Sequence, residues 1–484
     1  MTQTHHLFHF RTAGAEALAT ARWACTALAL AALTACSVTP PYQAPDMPVP
    51  AAFKEAGATW APAAPADGAD RGPWWELFGD AQLNQLAQEV QLSNQNIAAA
   101  VAAYAQAEAV VRQQRASLFP TVGLSGGATR TGGEGAARSG TTTQASLGVD
   151  WAPDLWGRLQ SGVNSAQAGV QASEADLASA RLSAVGTLAS AYFQLREADA
   201  EIELLRATVE GYERSLQIAR NRYAAGVVAQ TDVLQAQTQL ANARADQATV
   251  VQNRTRYEHA IAVLTGRAPA DFSLPASAWV ATVPDVPVGV PSTLLQRRPD
   301  IASAERAVAS ANAQIGIQRA AYFPSLSLGA SLGSGGSSVA DLFRASTTVW
   351  SLGLSVAQTL FNAGATAARV DEAEAARDAR AAVYRQTVLT AFQSVEDQLT
   401  VLNTLRAQEP LRREAVSAAE RTLQQLLNRY REGQVSYTDV VTAQASALSA
   451  QRALLQLQVN RQLAVVTLVQ ALGGGWQAPW LPQP

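Results

Sequence analysis

Two stretches of the chain combine an arginine, a tyrosine and an aspartate, and they are the residues best placed to do chemistry. The first runs Asn221 to Val233 and the second Asn428 to Val440, at a constant offset (428 − 221 = 207). Each reads Arg-Tyr, then Gly, then Thr-Asp. Guanidinium and carboxylate groups in this arrangement can form ion pairs or attract ions. The predicted chemistry is therefore electrostatic.

Composition argues against bond-making chemistry. The chain has four histidines and two cysteines, and 15% of its 484 residues are charged, with a net charge of −3. The histidines are His5, His6, His9 and His259, and the cysteines are Cys25 and Cys36. Only His259 lies outside the N-terminal segment, so a histidine-dependent triad is disfavoured and a multi-histidine metal site is excluded. We expect no enzyme activity, no cofactor, no metal and no nucleic-acid partner.

Helical hairpins must position the two stretches. Gly226 and Gly433 follow the last helical tyrosine and predict helix stops, while Thr231-Asp232 and Thr438-Asp439 predict helix starts. Long, proline-poor, alanine-rich segments flank each turn, namely 157–224 with 231–264, and 364–431 with 438–471. Within the third of these, Pro410 predicts a kink or a break.

The N-terminus predicts export and lipidation. Residues 1–35 contain positive charge followed by a short apolar run, which is typical of a signal peptide. The run ends Leu33-Thr34-Ala35-Cys36, which resembles a bacterial lipobox; the alternative is an ordinary signal peptidase site near Ala35. Proline-rich residues 37–73 then predict an extended tether. The aromatic stretch Trp74–Asp80 opens the folded part, most simply through local packing.

Between the helices, a change of period predicts β-hairpins. A helix over 81–118 stops before Pro120, and one over 300–321 stops before Pro324. Each is followed by two segments of about ten residues in which apolar residues alternate with Ser, Thr, Gly or Gln. Four aromatic residues lie one at each helix–strand junction. They predict an aromatic girdle at the inner of the two membrane–water boundaries, with ordinary packing at strand ends as the alternative. They are Phe119, Trp156, Phe323 and Phe361.

These elements predict an assembly. Four amphipathic strands cannot close a barrel, and bare strand edges cannot lie in lipid. Three chains supply 3 × 4 = 12 strands and twelve hairpin helices. The predicted fold class is mainly α with a small β part: an internally duplicated, trimeric α-helical barrel of twelve helices, topped by a 12-stranded transmembrane β-barrel with four strands per chain.

The domain organisation follows the repeat. We predict a lipoprotein signal peptide at 1–35, a lipid-anchored tether at 36–80, repeats at 81–266 and 299–473, a connector at 267–298 and a tail at 474–484. Each repeat contains a helix, a β-hairpin (121–155 and 325–361) and a long helical hairpin with its tip at 223–231 or 430–438.

Together these motifs resemble the TolC family of outer-membrane efflux proteins, in its OprM- or NodT-like lipoprotein branch. The resemblance covers nearly all of the mature chain and includes Leu33–Cys36, Trp74–Asp80, Asp154–Arg158, Arg297–Ile301 and both hairpin tips. It implies a homotrimeric, lipid-anchored exit duct in the outer membrane, with its helical barrel in the periplasm. Such a duct docks a periplasmic adaptor and an inner-membrane pump, usually of the resistance–nodulation–division type, and exports drugs or other small molecules. The alternative is the outer-membrane component of a type I protein secretion or metal-efflux system.

The resemblance also assigns roles at the tips, where the family closes its periplasmic mouth. The implied gate and adaptor-contact residues are Arg222, Tyr223, Gly226, Thr231, Asp232, Arg429, Tyr430, Gly433, Thr438 and Asp439, with Cys36 as the lipidation site. The two aspartates either form carboxylate rings or cap the returning helices, or do both. The arginines either pair with carboxylates or are solvated, and the tyrosines are expected to pack at the turn.

One departure from the family pattern limits this assignment. Some relatives carry a second aspartate one turn beyond the second hairpin aspartate and an arginine just after the glycine. Here these positions hold Thr442 and Val435. A double acidic ring is therefore not expected. Two other functions compete with the exit duct: an anchored enzyme, which the lack of His and Cys disfavours, and a pore-free periplasmic scaffold, which the polar strand faces disfavour.

Overall fold

The computed structural model describes residues 38–56, 73–132, 140–284, 286 and 297–475. The chain divides into two compact units. The sheet unit comprises the described parts of 1–45, 105–172 and 304–383, and the helical unit those of 46–104, 173–303 and 384–484. The predicted signal peptide, Cys25 and Cys36 lie outside the described residues, as does most of the predicted tail.

The described chain contains seven α-helices and four strands, besides several short 3-10 helices. In order they are α1 (Ala81–Ser93), α2 (Gln95–Ala116), β1 (Thr121–Thr131), β2 (Gly140–Trp151), α3 (Arg158–Ala224), α4 (Gln230–Leu264), α5 (Pro299–Arg319), β3 (Ser325–Gly336), β4 (Thr348–Ala357), α6 (Ala365–Arg431) and α7 (Tyr437–Ala471). The prediction of a mostly helical protein with a small β part is confirmed. No helix among the described residues is both long and apolar enough to cross a bilayer.

The sheet of the sheet unit is antiparallel, in the order β1-β2-β3-β4. Its register aligns the apolar residues of all four strands on one face: Leu124 lies opposite Leu147, Leu147 opposite Leu332, and Leu332 opposite Trp350. The other face carries small polar residues in register. Ser331 and Ser351, for example, place their Oγ atoms 2.8 Å apart.

The apolar face of the sheet is exposed. Leu124 is 80% exposed and Trp350 is 74% exposed, and both outer strands, β1 and β4, are exposed along their whole length. Strand alternation usually buries one face against a core. Here the described chain supplies no such core for the apolar side of β1 and β4.

The long helices occur as two pairs of equal length. α3 and α6 each have 67 residues, and α4 and α7 each have 35. Both pairs are offset by the same interval, 365 − 158 = 207 and 437 − 230 = 207. Equal lengths and one offset mean that the helical hairpins begin and end at matching sequence positions.

One helix prediction is wrong, and of the kink or break expected at Pro410 the break is absent. The helix expected over 81–118 is interrupted at Asn94, whose backbone is extended. The Asn94 side-chain oxygen caps a new helix by accepting hydrogen bonds from the N–H groups of Asn96 (3.0 Å) and Ile97 (3.2 Å). The break expected at Pro410 does not occur, since α6 continues through it. A proline removes one hydrogen bond, and a helix of this length retains the bonds on either side.

The core of the helical unit surrounds the aromatic stretch at the end of the predicted tether. Trp74, Trp75 and Phe78 are buried, and the Phe78 ring lies 4.7 Å from that of Phe193. The Asp80 carboxylate caps α1 and also accepts a hydrogen bond from the Tyr192 hydroxyl at 2.7 Å. The structure thus shows the local aromatic packing that the sequence favours.

The N-terminal segment lies against helices in both units. In the sheet unit, Thr39 Oγ1 lies 2.6 Å from Ser161 Oγ, and Asn312 donates to the Pro40 carbonyl at 2.9 Å. In the helical unit, the Glu396 carboxylate accepts the backbone N–H groups of Lys54 (2.7 Å) and Glu55 (2.9 Å). The helices therefore hold this segment through hydrogen bonds to its backbone and to the Thr39 side chain.

Candidate functional site at the hairpin tips

Both hairpin tips lie in the helical unit, and both end their first helix in the same way. At the first tip, Gly226 has φ 72° and its N–H donates to Tyr223 O at 2.9 Å, while Val227 N–H donates to Arg222 O at 2.9 Å. At the second, Gly433 has φ 77° and makes the equivalent bond to Tyr430 O. This is the Schellman motif, in which a glycine adopts a left-handed conformation.

The returning helices start differently at the two tips. At the second tip, Ser436 is the N-cap: its Oγ accepts from the Asp439 N–H at 3.3 Å, and the Asp439 carboxylate accepts from the Ser436 N–H at 3.1 Å. This is a capping box. At the first tip the N-cap position holds Ala229, which makes no side-chain cap. The Asp232 N–H donates to the Ala229 carbonyl at 3.1 Å, but no N-cap side chain is present to complete a capping box.

The two aspartates lie at the third helical position, so neither is itself the N-cap. Asp439 takes part in capping from inside the helix and is exposed, whereas Asp232 is half-buried. Thr231 and Thr438 lie one residue earlier and are exposed. Of the alternatives left open by the sequence, a capping contact is therefore observed for Asp439, within a capping box, and no side-chain cap is formed at Ala229 before Asp232.

Arg222 connects the two tips. Its guanidinium donates to the Tyr430 backbone carbonyl and lies over the Tyr430 ring, with the Cζ atom 4.7 Å from the ring centroid. Both contacts favour a cation, the first as a charge-assisted hydrogen bond and the second through the ring quadrupole. The sequence left two alternatives for this arginine, a carboxylate partner or a solvated charge; the observed partner is a tyrosine of the other hairpin.

Tyr430 is the centre of the tip packing. It is 3% exposed, and its ring lies 5.2 Å from that of Tyr437, which is 2% exposed. Burial raises the pKa of the Tyr430 hydroxyl, and the negative charge of Asp232 raises it further, while Arg222 opposes this. The hydroxyl therefore stays protonated and neutral beside the carboxylate.

The matching residues have unequal environments. Tyr223 is 47% exposed although Tyr430 is buried, and Arg429 is exposed although Arg222 is half-buried. Packing at the turn is therefore observed for only one of the two tyrosines. The remaining tip core comes from all four hairpin helices; its buried members are Tyr212, Leu216, Ala219, Ala236, Leu240, Ala243, Tyr430, Tyr437 and Val440.

The two positions that depart from the family pattern have ordinary structural contacts. Val435 packs against the tip core, and the Thr442 hydroxyl donates to the Thr438 carbonyl at 3.0 Å. Sequence reasoning missed Tyr437 and Ser436. The Ser-x-x-Asp spacing that ends at Asp439 is a capping-box signal and would have identified Ser436. Only packing reveals Tyr437.

The four junction aromatics lie in the sheet unit and form one close pair. Trp156 and Phe323 stack with centroids 4.8 Å apart, and Trp156 Nε1 donates to the Pro324 carbonyl at 2.6 Å. Phe119 is 68% exposed and Phe361 is 87% exposed. The structure therefore brings two of the four together and leaves the others on the surface.

Comparison with known proteins gives extended matches. The model of the outer membrane efflux protein family matches residues 86–267 and 290–474. The antibiotic efflux pump outer membrane protein ArpC of Pseudomonas putida is 34% identical over 92% of this chain and 93% of its own length. The cation efflux system protein CusC of Escherichia coli O6:H1 is 30% identical over 94% and 98%. The solved outer-membrane channel OprN superimposes with a TM-score of 0.82 at 30% identity, over 91% of this chain and 100% of that chain.

Proposed function

Since the chain belongs to the outer membrane efflux protein family, we propose that it is the outer-membrane channel of a tripartite efflux system. It acts as a passive exit duct: a partner supplies the energy, and the duct makes and breaks no covalent bonds. The electrostatic residues at the tips serve to close the duct and to bind partners.

The observation that carries this proposal is the exposed amphipathic sheet. One face presents leucine, valine and tryptophan, the other serine, threonine and glycine, and the outer strands are exposed. Such a sheet is suited to a barrel with lipid outside and water inside, and lipid tolerates only closed sheets. Three copies supply 3 × 4 = 12 strands, so the proposed unit is a homotrimer.

The helical hairpins continue the duct in this proposal. Two matched hairpins per chain are best explained by an internal duplication, and three chains then contribute twelve helices to a tube. A 67-residue helix is about 100 Å long at 1.5 Å per residue, long enough to cross much of a periplasm. The hairpin tips lie at its inner end, where an adaptor docks.

The tip contacts act as a gate. Arg222 holds the second hairpin through Tyr430, and Asp232 lies within electrostatic reach of the same tyrosine. Opening requires these contacts to separate. In a trimer, three copies of each tip aspartate form carboxylate rings that favour cations at the constriction. Asp439 combines this role with its capping contact.

The proposed partners are a periplasmic adaptor and an inner-membrane pump of the resistance–nodulation–division type. Cys36 carries the lipid that anchors the N-terminus in the outer membrane, and residues 38–56 continue from it along the helices. The proposed aromatic girdle lies at the inner of the two membrane–water boundaries of the outer membrane and consists of Phe119, Trp156, Phe323 and Phe361.

The proposed cargo is drugs or other small molecules, because the polar strand face offers hydroxyls and glycines rather than a shaped pocket. Metal efflux is the second candidate, favoured by the similarity to a cation efflux system protein. Crosslinking cell envelopes and identifying the pump that co-purifies with this chain separates the two.

The test of the channel is assembly and conductance. Purified protein is expected to migrate as a heat-modifiable trimer and to conduct ions in planar bilayers. A monomer that remains soluble without detergent contradicts the proposal, and a trimer without conductance favours a pore-free scaffold.

A further inference from the structure

The four strands carry almost no charge. Within β1 to β4 the ionisable residues are Arg130 and Asp150. Arg130 lies near the loop end of β1, on the same face of the strand as Val122 and Leu124. Asp150 lies on the same face of β2 as Ser146 and Gly148. It is therefore the only ionisable residue on the polar face of these strands.

The surroundings of Asp150 leave its carboxylate open. In register it lies opposite Thr121 on β1 and Gly329 on β3, and Gly329 in turn lies opposite Gly353 on β4. A Cβ placed on Gly329 would be 3.7 Å from Asp150 Oδ1, so the carboxylate extends over a glycine. Asp150 is exposed, and no salt bridge to it is found within the described chain.

Its position along the strands is also defined. Asp150 is the penultimate residue of β2 and pairs with the first residue of β1. It therefore lies at the sheet end where the helices join, away from the connecting loops. Neutral rows follow it: Gly123, Gly148, Ser331 and Ser351 lie in register across the next polar row. Within the four described strands, no other charged residue lies on that face.

We infer that Asp150 sets the charge preference of the strand-lined part of the duct, as a ring of three carboxylates that favours cations over anions. This rests on the proposed trimeric channel, in which the polar face lines the water-filled passage and threefold symmetry puts the three copies at one level. Three like charges in a confined passage raise the local concentration of counter-ions. Among the described residues of one chain, no ion pair neutralises Asp150.

The test is the ratio of cation to anion permeability, measured from the reversal potential across a KCl gradient in planar bilayers. Asp150→Asn is expected to lower the ratio by about twofold or more near 0.1 M salt. The effect should vanish near 1 M, since the screening length falls from about 10 Å to about 3 Å. Ser331→Asn, which adds an amide one row away without removing a charge, is the matched control and should keep the wild-type ratio.

The measurement is repeated in a variant that lacks the tip carboxylates, because these groups are also proposed to favour cations. The same comparison is made with Asp232→Asn and Asp439→Asn present, where the contribution of Asp150 stands alone. An unchanged ratio for Asp150→Asn at low salt in both backgrounds overturns the inference. A wild-type protein that fails to conduct sinks the proposed function instead, so the two failures are distinct.

Accessibility gives an independent measurement that does not depend on the tip. Asp150→Cys should react with a membrane-impermeant cationic thiol reagent and lose current on modification. Val149→Cys, one residue away on the apolar face, should keep its current. Block in the Val149→Cys channel without block in the Asp150→Cys channel would show that the carboxylate does not face the passage.

Discussion

At the scale of single residues, the two hairpin tips share a sequence pattern but divide the work unequally. Arg222 and Tyr430 form a contact between the hairpins, while their counterparts Arg429 and Tyr223 are exposed. Position in the repeat therefore does not assign a role. The neighbouring hairpin decides which arginine finds an aromatic ring.

This inequality gives a prediction for the gate. Arg222→Gln removes both the charge-assisted hydrogen bond and the contact with the Tyr430 ring, together worth about 1–3 kcal/mol. The open population should rise roughly tenfold, because about 1.4 kcal/mol corresponds to a factor of ten. Single-channel recording gives the open probability. Arg429→Gln is the matched control, and an equal rise in both variants would contradict the assignment.

Another residue, Glu197 on α3, links stability to pH. Burial raises the pKa of its carboxyl to about 7, the charge of Glu201 adds to the shift, and Arg452 opposes it. A carboxyl with a raised folded-state pKa is protonated in the folded protein while the unfolded chain has lost its proton. Stability at this site should therefore fall as pH rises from about 4.5 to about 7.

Glu197→Gln should remove that loss and stabilise the protein at neutral pH by about 1–2 kcal/mol, after allowance for partial exposure. Thermal unfolding of the purified protein at pH 5 and pH 8 measures the change. Glu203→Gln is the control on the same helix, since Glu203 is exposed and Arg206 lowers the pKa of its carboxyl. A wild-type pH profile for Glu197→Gln would refute the assignment.

At the scale of elements, helix ends show what sequence can predict here. The glycine stops at 226 and 433 come from a steric rule, and both are where that rule places them. The single helix expected over 81–118 is wrong, and of the kink or break expected at Pro410 the break is absent, because each outcome depends on competing interactions. Asn94 ends one helix by offering a cap and a bond to the Leu264 carbonyl, which lies far away in sequence.

The helix starts provide a prediction with a built-in comparison. Ser436→Ala should destabilise the start of α7 by about 0.5–2 kcal/mol, since the N-cap oxygen is lost. Ala229→Ser should stabilise the start of α4, because Asp232 already lies at the third helical position for a capping box. Amide hydrogen exchange at residues 437–440 and 230–233 measures both. Unchanged exchange in both variants would mean that other contacts hold these ends.

At the scale of the whole molecule, the family resemblance read from the motifs is confirmed by the match over most of the chain. Strand alternation was predictable because its period is a local property. The pairing of Arg222 with Tyr430, and of Trp156 with Phe323, was not, because each joins residues more than 160 positions apart. The trimer, the lipid anchor and the partners remain proposals.

The barrel makes a prediction about the two faces of one strand. Leu352→Lys places a charge on the face proposed to meet lipid and should cost about 2–4 kcal/mol near mid-bilayer. Ser351→Lys, on the adjacent residue of the polar face, should be tolerated. The fraction of protein migrating as a trimer in unheated gels reports the difference. Equal trimer yields would argue against a lipid-facing Leu352.

The uncovered outer strands also bear on biogenesis. In the proposed trimer, a newly exported copy has unpaired edges on β1 and β4 until two further copies bind, and unpaired strand edges promote aggregation. Assembly must therefore be faster than aggregation. The yield of assembled duct should depend steeply on the local concentration of newly exported copies in the membrane. Slow, dispersed synthesis would then waste more polypeptide than a concentrated burst of the same total amount.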